Sequence, residues 1–188
     1  MKWVTAGFKV SKDARYELIT HRDIRIYQGT VEIHSNIGIA RACAEGAIAR
    51  ACIDGAIAEA HVDGAVAEAC ADDTVAKAWA KGATAKACVA GAVAEAYAAG
   101  AVAEAKTKDA VAESCVAGAT AEACATDSIA RACAAGAIAE ACAAGAVAEA
   151  CIAGAVAEAY AAGAVAEAKT KGAIARSWVI GAVAIKYK

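Results

Sequence analysis

The sequence predicts an all-β fold: a flattened, two-sided parallel β-solenoid of about eight coils, 18 residues per coil, with an N-terminal capping segment. Three observations carry this expectation. From residue 37 the chain repeats every nine residues, each unit alternates alanine with other side chains, and charges pair best at twice the period.

The units read "GAIARACID", "GAIAEAHVD", "GAVAEACAD", "DTVAKAWAK", "GATAKACVA" and onward to "GAIARSWVI". Sixteen complete units fill 37–180, and "GAVAIKYK" closes the chain. Position 1 is nearly always Gly or Asp, and positions 2, 4 and 6 are nearly always Ala. Position 3 is Val, Ile or Thr, position 5 is Glu, Arg or Lys, and position 7 holds all nine cysteines. The stretch "GAVAEAYAAGAVAEAKTK" occurs at 91–108 and again at 154–171, a sign that seven units were duplicated.

Alanine favours helix, but a helix fails on geometry. Nine residues make two and a half helical turns, so Val at position 3 would land on opposite sides in successive units and leave no apolar stripe. A glycine in each unit would add a penalty of roughly 1 kcal/mol. In a strand, positions 2, 4, 6 and 8 point inward and positions 3, 5 and 7 outward. The inward set is small throughout, which suits a narrow interior, and the outward set contains the charge. Positions 9 and 1 read "DG", "KG", "AG" or "KD", turn dipeptides that tolerate left-handed backbone.

The charges at position 5 set the coil length. At spacing 18, opposite signs meet in 10 of 15 neighbouring pairs, against 7 of 14 at spacing 27 and 7 of 16 at spacing 9. Opposite charges stacked in a ladder attract, so two units per coil is favoured. The same spacing stacks His61, Trp79 and Tyr97, then Cys52, Cys70 and Cys88, then Cys115, Cys133 and Cys151, and places Cys124 by Cys142 and Tyr160 by Trp178. Neighbouring strands lie about 4.8 Å apart, so the rod is roughly 40 Å long.

The ends differ from the repeat. Residues 1–36 form a β-rich cap carrying Trp3, Phe8, Tyr16 and Leu18, with Val31 and Ile33 in the inward places that alanine takes later. Residues 37–180 form the solenoid proper. Residues 181–188 form a closing strand, with Trp178, Ile180, Ile185 and Tyr187 expected to close the last coil. Short-period Ala/Gly-rich repeats with strand alternation resemble the β-solenoid proteins of bacteria and their phages. That resemblance covers 37–188 and implies a fold type rather than an activity. The units lack the Gly-Gly-x-Gly-x-Asp motif, so no calcium site is expected.

The composition excludes several function classes. A net charge of −2 suits neither a nucleic-acid binder nor an acidic mimic of one. A charged residue recurs about every nine positions from Glu32 to Arg176, so no apolar span long enough for a membrane helix is expected. "MKWVTAGFKV" contains no apolar run of leader type, and nine cysteines without one read as free thiols in a reducing compartment, hence a cytoplasmic protein.

No catalytic, cofactor or metal residues are expected. The cysteine rows are straight, whereas zinc wants a tetrahedral cage, and they read as small, mildly apolar surface residues. His21, His34 and His61 have no nucleophile and orienting acid around them in the sequence pattern, and the glutamates line a flat face rather than a pocket. Enzymatic activity is therefore not expected. The outward Val and Ile columns carry the functional expectation, because long semi-apolar stripes mark interfaces. The candidates are Val66, Trp79, Val93, Tyr97, Val102, Val147, Val156, Tyr160, Val165 and Trp178. The expected role is a non-enzymatic scaffold that binds a protein partner or itself through these faces or its ends. An ice-binding face, or a virion component or host-system inhibitor, stands as the alternative; ice-binding faces generally show regular Thr columns without the charge found here in every strand.

Overall fold

In the computed structural model, which describes residues 1–5, 7–20, 22–35 and 37–187, each nine-residue unit yields one short strand and one tight turn. The turn sets the strand length. After the strand Val93–Ala96, the N–H of Ala101 donates to the carbonyl of Ala98 at 3.0 Å, closing a four-residue turn. Gly100, its third residue, has φ +75° while the second does not have positive φ, the pattern of a type II turn. An L-residue resists that conformation, which is why the first position of every unit after the first is Gly or Asp. Asp73, Asp109 and Asp127 adopt it at φ 53°, 60° and 58°.

Two of those three aspartates precede a hydroxyl. The Thr74 side chain donates to the carbonyl of Ala71 and the Ser128 side chain to that of Ala125, each bracing its own turn.

The described residues contain no helix. Five strands open the chain: β1 (Lys2–Thr5), β2 (Phe8–Val10), β3 (Arg15–Thr20), β4 (Asp23–Gln28) and β5 (Thr30–Ile33). Seventeen more follow at nine-residue intervals, from β6 (Ile39–Ala42) and β7 (Ile48–Ala51) to β21 (Ile174–Ser177) and β22 (Val183–Ile185). They alternate between two 11-stranded sheets. The first sheet holds β1, β2, β5, β7 and the odd strands to β21; the second holds β3, β4, β6 and the even strands to β22. Within each sheet the repeat strands pair in parallel with a register shift of 18, as in Val75 with Val93 and Lys77 with Glu95. The fold is thus the two-sided parallel β-solenoid that the charge spacing predicts.

Parallel stacking begins at β4 and β5, within the segment read as a cap, and brings the count to about nine coils instead of eight. The cap proper is two antiparallel additions: β1 and β2 laid against β5, and β3 laid against β4. They cover the backbone edge that the first coil would otherwise present.

The core lies between the sheets and consists almost wholly of alanine at positions 2, 4 and 6, nearly all fully buried. Ser114 is an exception at position 6, and its hydroxyl has two carbonyls within reach of its single proton, those of Arg131 (3.1 Å) and, across the core, Ile138 (3.3 Å). The first coil is filled differently, by Phe8, Val10, Ile24, Ile26, Val31 and Ile33, all 0 % exposed. Gly38 stands where later units have alanine because these side chains occupy the space: a Cβ there would lie 2.5 Å from Ile33 Cγ2 and 3.5 Å from the Phe8 ring.

Position 8 departs from the expected alternation. It opens the turn, and its burial is mixed: Ile53 and Ile152 are 38 % and 45 % exposed, whereas Ala80, Ala98, Ala134, Ala143 and Ala161 are half-buried against the core. The strand runs only from position 3 to position 6, so period-two alternation ends before position 8 is reached.

The two edges of the rod also differ. On the edge where the second sheet hands over to the first, every turn in the repeat has glycine at its third residue, and the amides form an axial ladder. Gly46 donates to Gly64, Gly64 to Gly82, Gly82 to Gly100, and so on to Gly154 and Gly172, at 2.8–3.4 Å. On the opposite edge Asp73, Asp109 and Asp127 interrupt the column, and the ladder survives only from Gly145 to Gly181.

β22 completes the second sheet against β20 (Val165–Ala168), but the residues expected to close the last coil do not cover it. Ile180 is 97 % exposed, Trp178 59 %, Tyr187 54 % and Ile185 45 %. They sit at turn or outward positions, and no later coil among the described residues packs against them.

Candidate interaction faces

Each flat face displays three columns, from positions 3, 5 and 7. The structure divides the sequence-derived candidates between the faces. Val66, Val102, Val156, Tyr160 and Trp178 lie on the first sheet or directly after its strands, and Trp79, Val93, Tyr97, Val147 and Val165 on or after those of the second. The valines are half-buried by their column neighbours. Trp79, Tyr160 and Trp178 project further into solvent.

The aromatic residues stack as the 18-residue spacing requires. On the second face the His61 and Trp79 rings lie 6.3 Å apart at 10°, and Trp79 and Tyr97 lie 4.4 Å apart at 11°. The Tyr97 hydroxyl donates to Glu95 at 2.7 Å, and burial followed by that carboxylate pushes its pKa up. Lys77 lies 5.7 Å from the same ring. The result is a three-ring stack held from its neighbours, with His61 and Trp79 exposed and Tyr97 half-buried. On the first face Tyr160 and Trp178 stack at 6.3 Å and 5°.

The charge columns separate the faces more sharply. On the second face every position-5 glutamate of the repeat has a cation within 3.5 Å. Arg41 binds Asp23 and Glu59, Lys77 binds Glu95, Arg131 spans Glu113 and Glu149 at 3.0 Å each, and Lys169 reaches Glu149 and Glu167. The first face is balanced near its start, where Arg50 bonds Glu68 at 2.6 Å and reaches Glu32 at 3.8 Å. Further along, four glutamates stack in succession: Glu104, Glu122, Glu140 and Glu158. Lys106 pairs with the first and Arg176 with the last. Among the described residues Glu122 and Glu140 have no ion-pair partner. Burial first and adjacent carboxylates second raise both carboxyls above the usual range.

A raised carboxyl binds its proton more readily in the folded state, so these two groups favour folding more as pH falls through their folded pKa and less above it. Glu140→Arg, facing Glu122 and Glu158, is expected to stabilise the fold at neutral pH by up to about 1 kcal/mol. It should also flatten the gain on mild acidification. Urea unfolding at several pH values checks both.

The cysteine rows are present as expected, and all nine thiols are free. In the first-face row the Cys70 thiol hydrogen-bonds Cys52, which holds Cys52 below the ordinary thiol range and, with burial, pushes Cys70 up to about 11. On the second face burial raises Cys115 to about 11 and Cys133 to about 12. Thiols shifted upward stay protonated at neutral pH and are poor nucleophiles.

One cluster escapes the sequence reading. Glu32, His34 and Cys52 bring an oxygen, a nitrogen and a sulfur within 4.8 Å of one another. The available signal was Glu-x-His at the end of one strand with a cysteine 18 residues beyond the histidine; reading position 7 as a straight row hid the sideways contribution of position 5. Of the other histidines, His61 lies 3.0 Å from Glu59, and His21 falls outside the described residues. Two hollows lie at the uncovered C-terminal coil, the larger of the two about 430 Å³ and lined by Ile174, Arg176, Lys186 and Tyr187 among others. No helix among the described residues is long and apolar enough to cross a membrane.

No family model, curated protein or solved structure matches the chain.

Proposed function

We propose that this protein is a non-enzymatic interaction scaffold that self-associates through its second face, working in a reducing compartment and belonging with the short-repeat solenoids of bacteria and phages. The observation that carries the reading is the ordered His61–Trp79–Tyr97 stack beside half-buried Val75 and Val93. An exposed Trp backed by a half-buried Tyr on a flat, semi-apolar surface is where interfaces concentrate energy. Charge selects this face over the other. Its glutamates are already neutralised within the column, so two copies meet without large repulsion, whereas the unpaired Glu122 and Glu140 repel a second copy of the first face.

Light scattering across a concentration series tests this. The wild type is expected to rise from the chain mass of 18.5 kDa towards twice that value. Trp79→Lys should weaken association at least about 30-fold, the effect of losing a central aromatic anchor. Val102→Lys, on the first face, should leave it unchanged. A wild type that stays at the chain mass at high concentration overturns the proposal, as does equal loss in both variants.

A further inference from the structure

We propose that Glu32, His34 and Cys52 form a binding site for a zinc-class divalent metal ion, which clips the first coil to the second on the first face. Glu32 and His34 lie on and directly after β5, and Cys52 follows β7 one coil later, in the same column as His34. The backbone fixes all three: Glu32 is paired with Lys9 and Arg50 in the sheet, the His34 N–H donates to the carbonyl of Gly7 at 2.7 Å, and the Cys52 N–H to that of Ile33 at 3.0 Å. β5 is held in register by β2 on one side and β7 on the other, so the donor atoms are presented by paired strands rather than by a loop.

The donor atoms fit this ion class. His34 Nε2 lies 3.4 Å from Glu32 Oε2, and a carboxylate oxygen, a ring nitrogen and the Cys52 sulfur all lie within 4.8 Å of one another. Zinc–ligand bonds of about 2.0–2.3 Å place neighbouring ligands of a tetrahedral site about 3.3–3.8 Å apart, so modest side-chain rotation closes the triangle. Nitrogen and thiolate donors select zinc-like ions over calcium and magnesium, which prefer all-oxygen shells. Arg50 approaches the other carboxylate oxygen, Oε1, at 3.8 Å and makes its closer bond to Glu68, which leaves Oε2 turned towards His34. Trp3 lies against the His34 ring at 5.1 Å and shelters that side. The fourth ligand position is left to water.

The second face provides an internal contrast. His61 has Glu59 beside it and Cys43 one coil below, the same residue types, but Glu59 Oε2 accepts from Arg41 Nε at 2.9 Å as well as facing His61. Among the described residues only the Glu32 trio brings three such donors together.

Titration of the reduced full-length protein with Co(II), followed by competition with Zn(II), tests the site. One equivalent is expected to produce a thiolate-to-Co(II) charge-transfer band that zinc abolishes, and zinc should raise the thermal midpoint of the wild type. His34→Asn and Cys52→Ser, each checked for an unchanged β-type CD spectrum, should each weaken Co(II) binding at least about 10-fold, the scale of losing one ligand or its support. His61→Ala and Cys151→Ser should bind as the wild type does. The proposal is overturned by the absence of a charge-transfer band, by a band that survives both His34→Asn and Cys52→Ser, or by saturation at several equivalents with Cys151→Ser reducing it, which would mean that any thiol row captures the ion.

Discussion

Phe8→Ala is expected to destabilise the protein by about 3–5 kcal/mol, the range for deleting a fully buried aromatic ring. Phe8 is 0 % exposed, and its ring lies beside Gly38, in the one part of the rod filled by large side chains. Elsewhere the buried residue is alanine, which has little apolar area to contribute. The cap therefore holds a disproportionate share of the burial, and Phe8 lies on β2, the strand that seals β5. Denaturant unfolding followed by far-UV CD measures the loss. A loss below about 1 kcal/mol would show that the first coil closes over the missing ring, against the packing described.

Ala103→Leu makes the complementary test in the middle of the rod. Ala103 is fully buried in an interior whose facing positions are also alanine, and paired strands hold its backbone on both sides. A leucine has nowhere to go without parting the sheets. The expected cost is about 3 kcal/mol, the upper part of the usual overpacking range, because the neighbouring alanines have no side-chain rotamers with which to absorb it. The outward change Val102→Leu on the same strand should stay within about 0.5 kcal/mol. Both are read from urea midpoints, and equal effects at 102 and 103 would contradict the inward and outward assignment.

Much of this architecture was legible in the letters. The strand at positions 3 to 6, the inward alanines and the left-handed first position all follow from alternation and turn chemistry. The 18-residue coil was legible because the charges record it: Arg41 with Glu59, Arg50 with Glu68 and Arg131 with Glu149 are each one coil apart. What was not legible depended on where regularity stops. Position 8 reads as a fourth inward residue until the turn begins one residue early. Val31 and Ile33 could be read as inward, but the antiparallel addition of β1 and β2 carries no period and leaves no mark in the letters. The Glu32–His34–Cys52 triangle lies across that junction of cap and repeat. Its members belong to different columns and different coils, so neither the period nor any short motif joins them.

The glycine ladder along one edge has a mechanical consequence. Pulling the rod from its ends loads the interstrand hydrogen bonds along their own direction, so they break coil by coil rather than together in shear. Each released coil of 18 residues lengthens the chain by about 55–60 Å, taking about 3.3–3.6 Å per extended residue less the coil's own rise. From Gly46 to Gly136 the glycine edge ties successive coils by an axial bond that the edge interrupted by Asp73, Asp109 and Asp127 lacks. Under tension the rod is therefore stiffer along one edge than the other. It bends as it extends, opening first on the aspartate side.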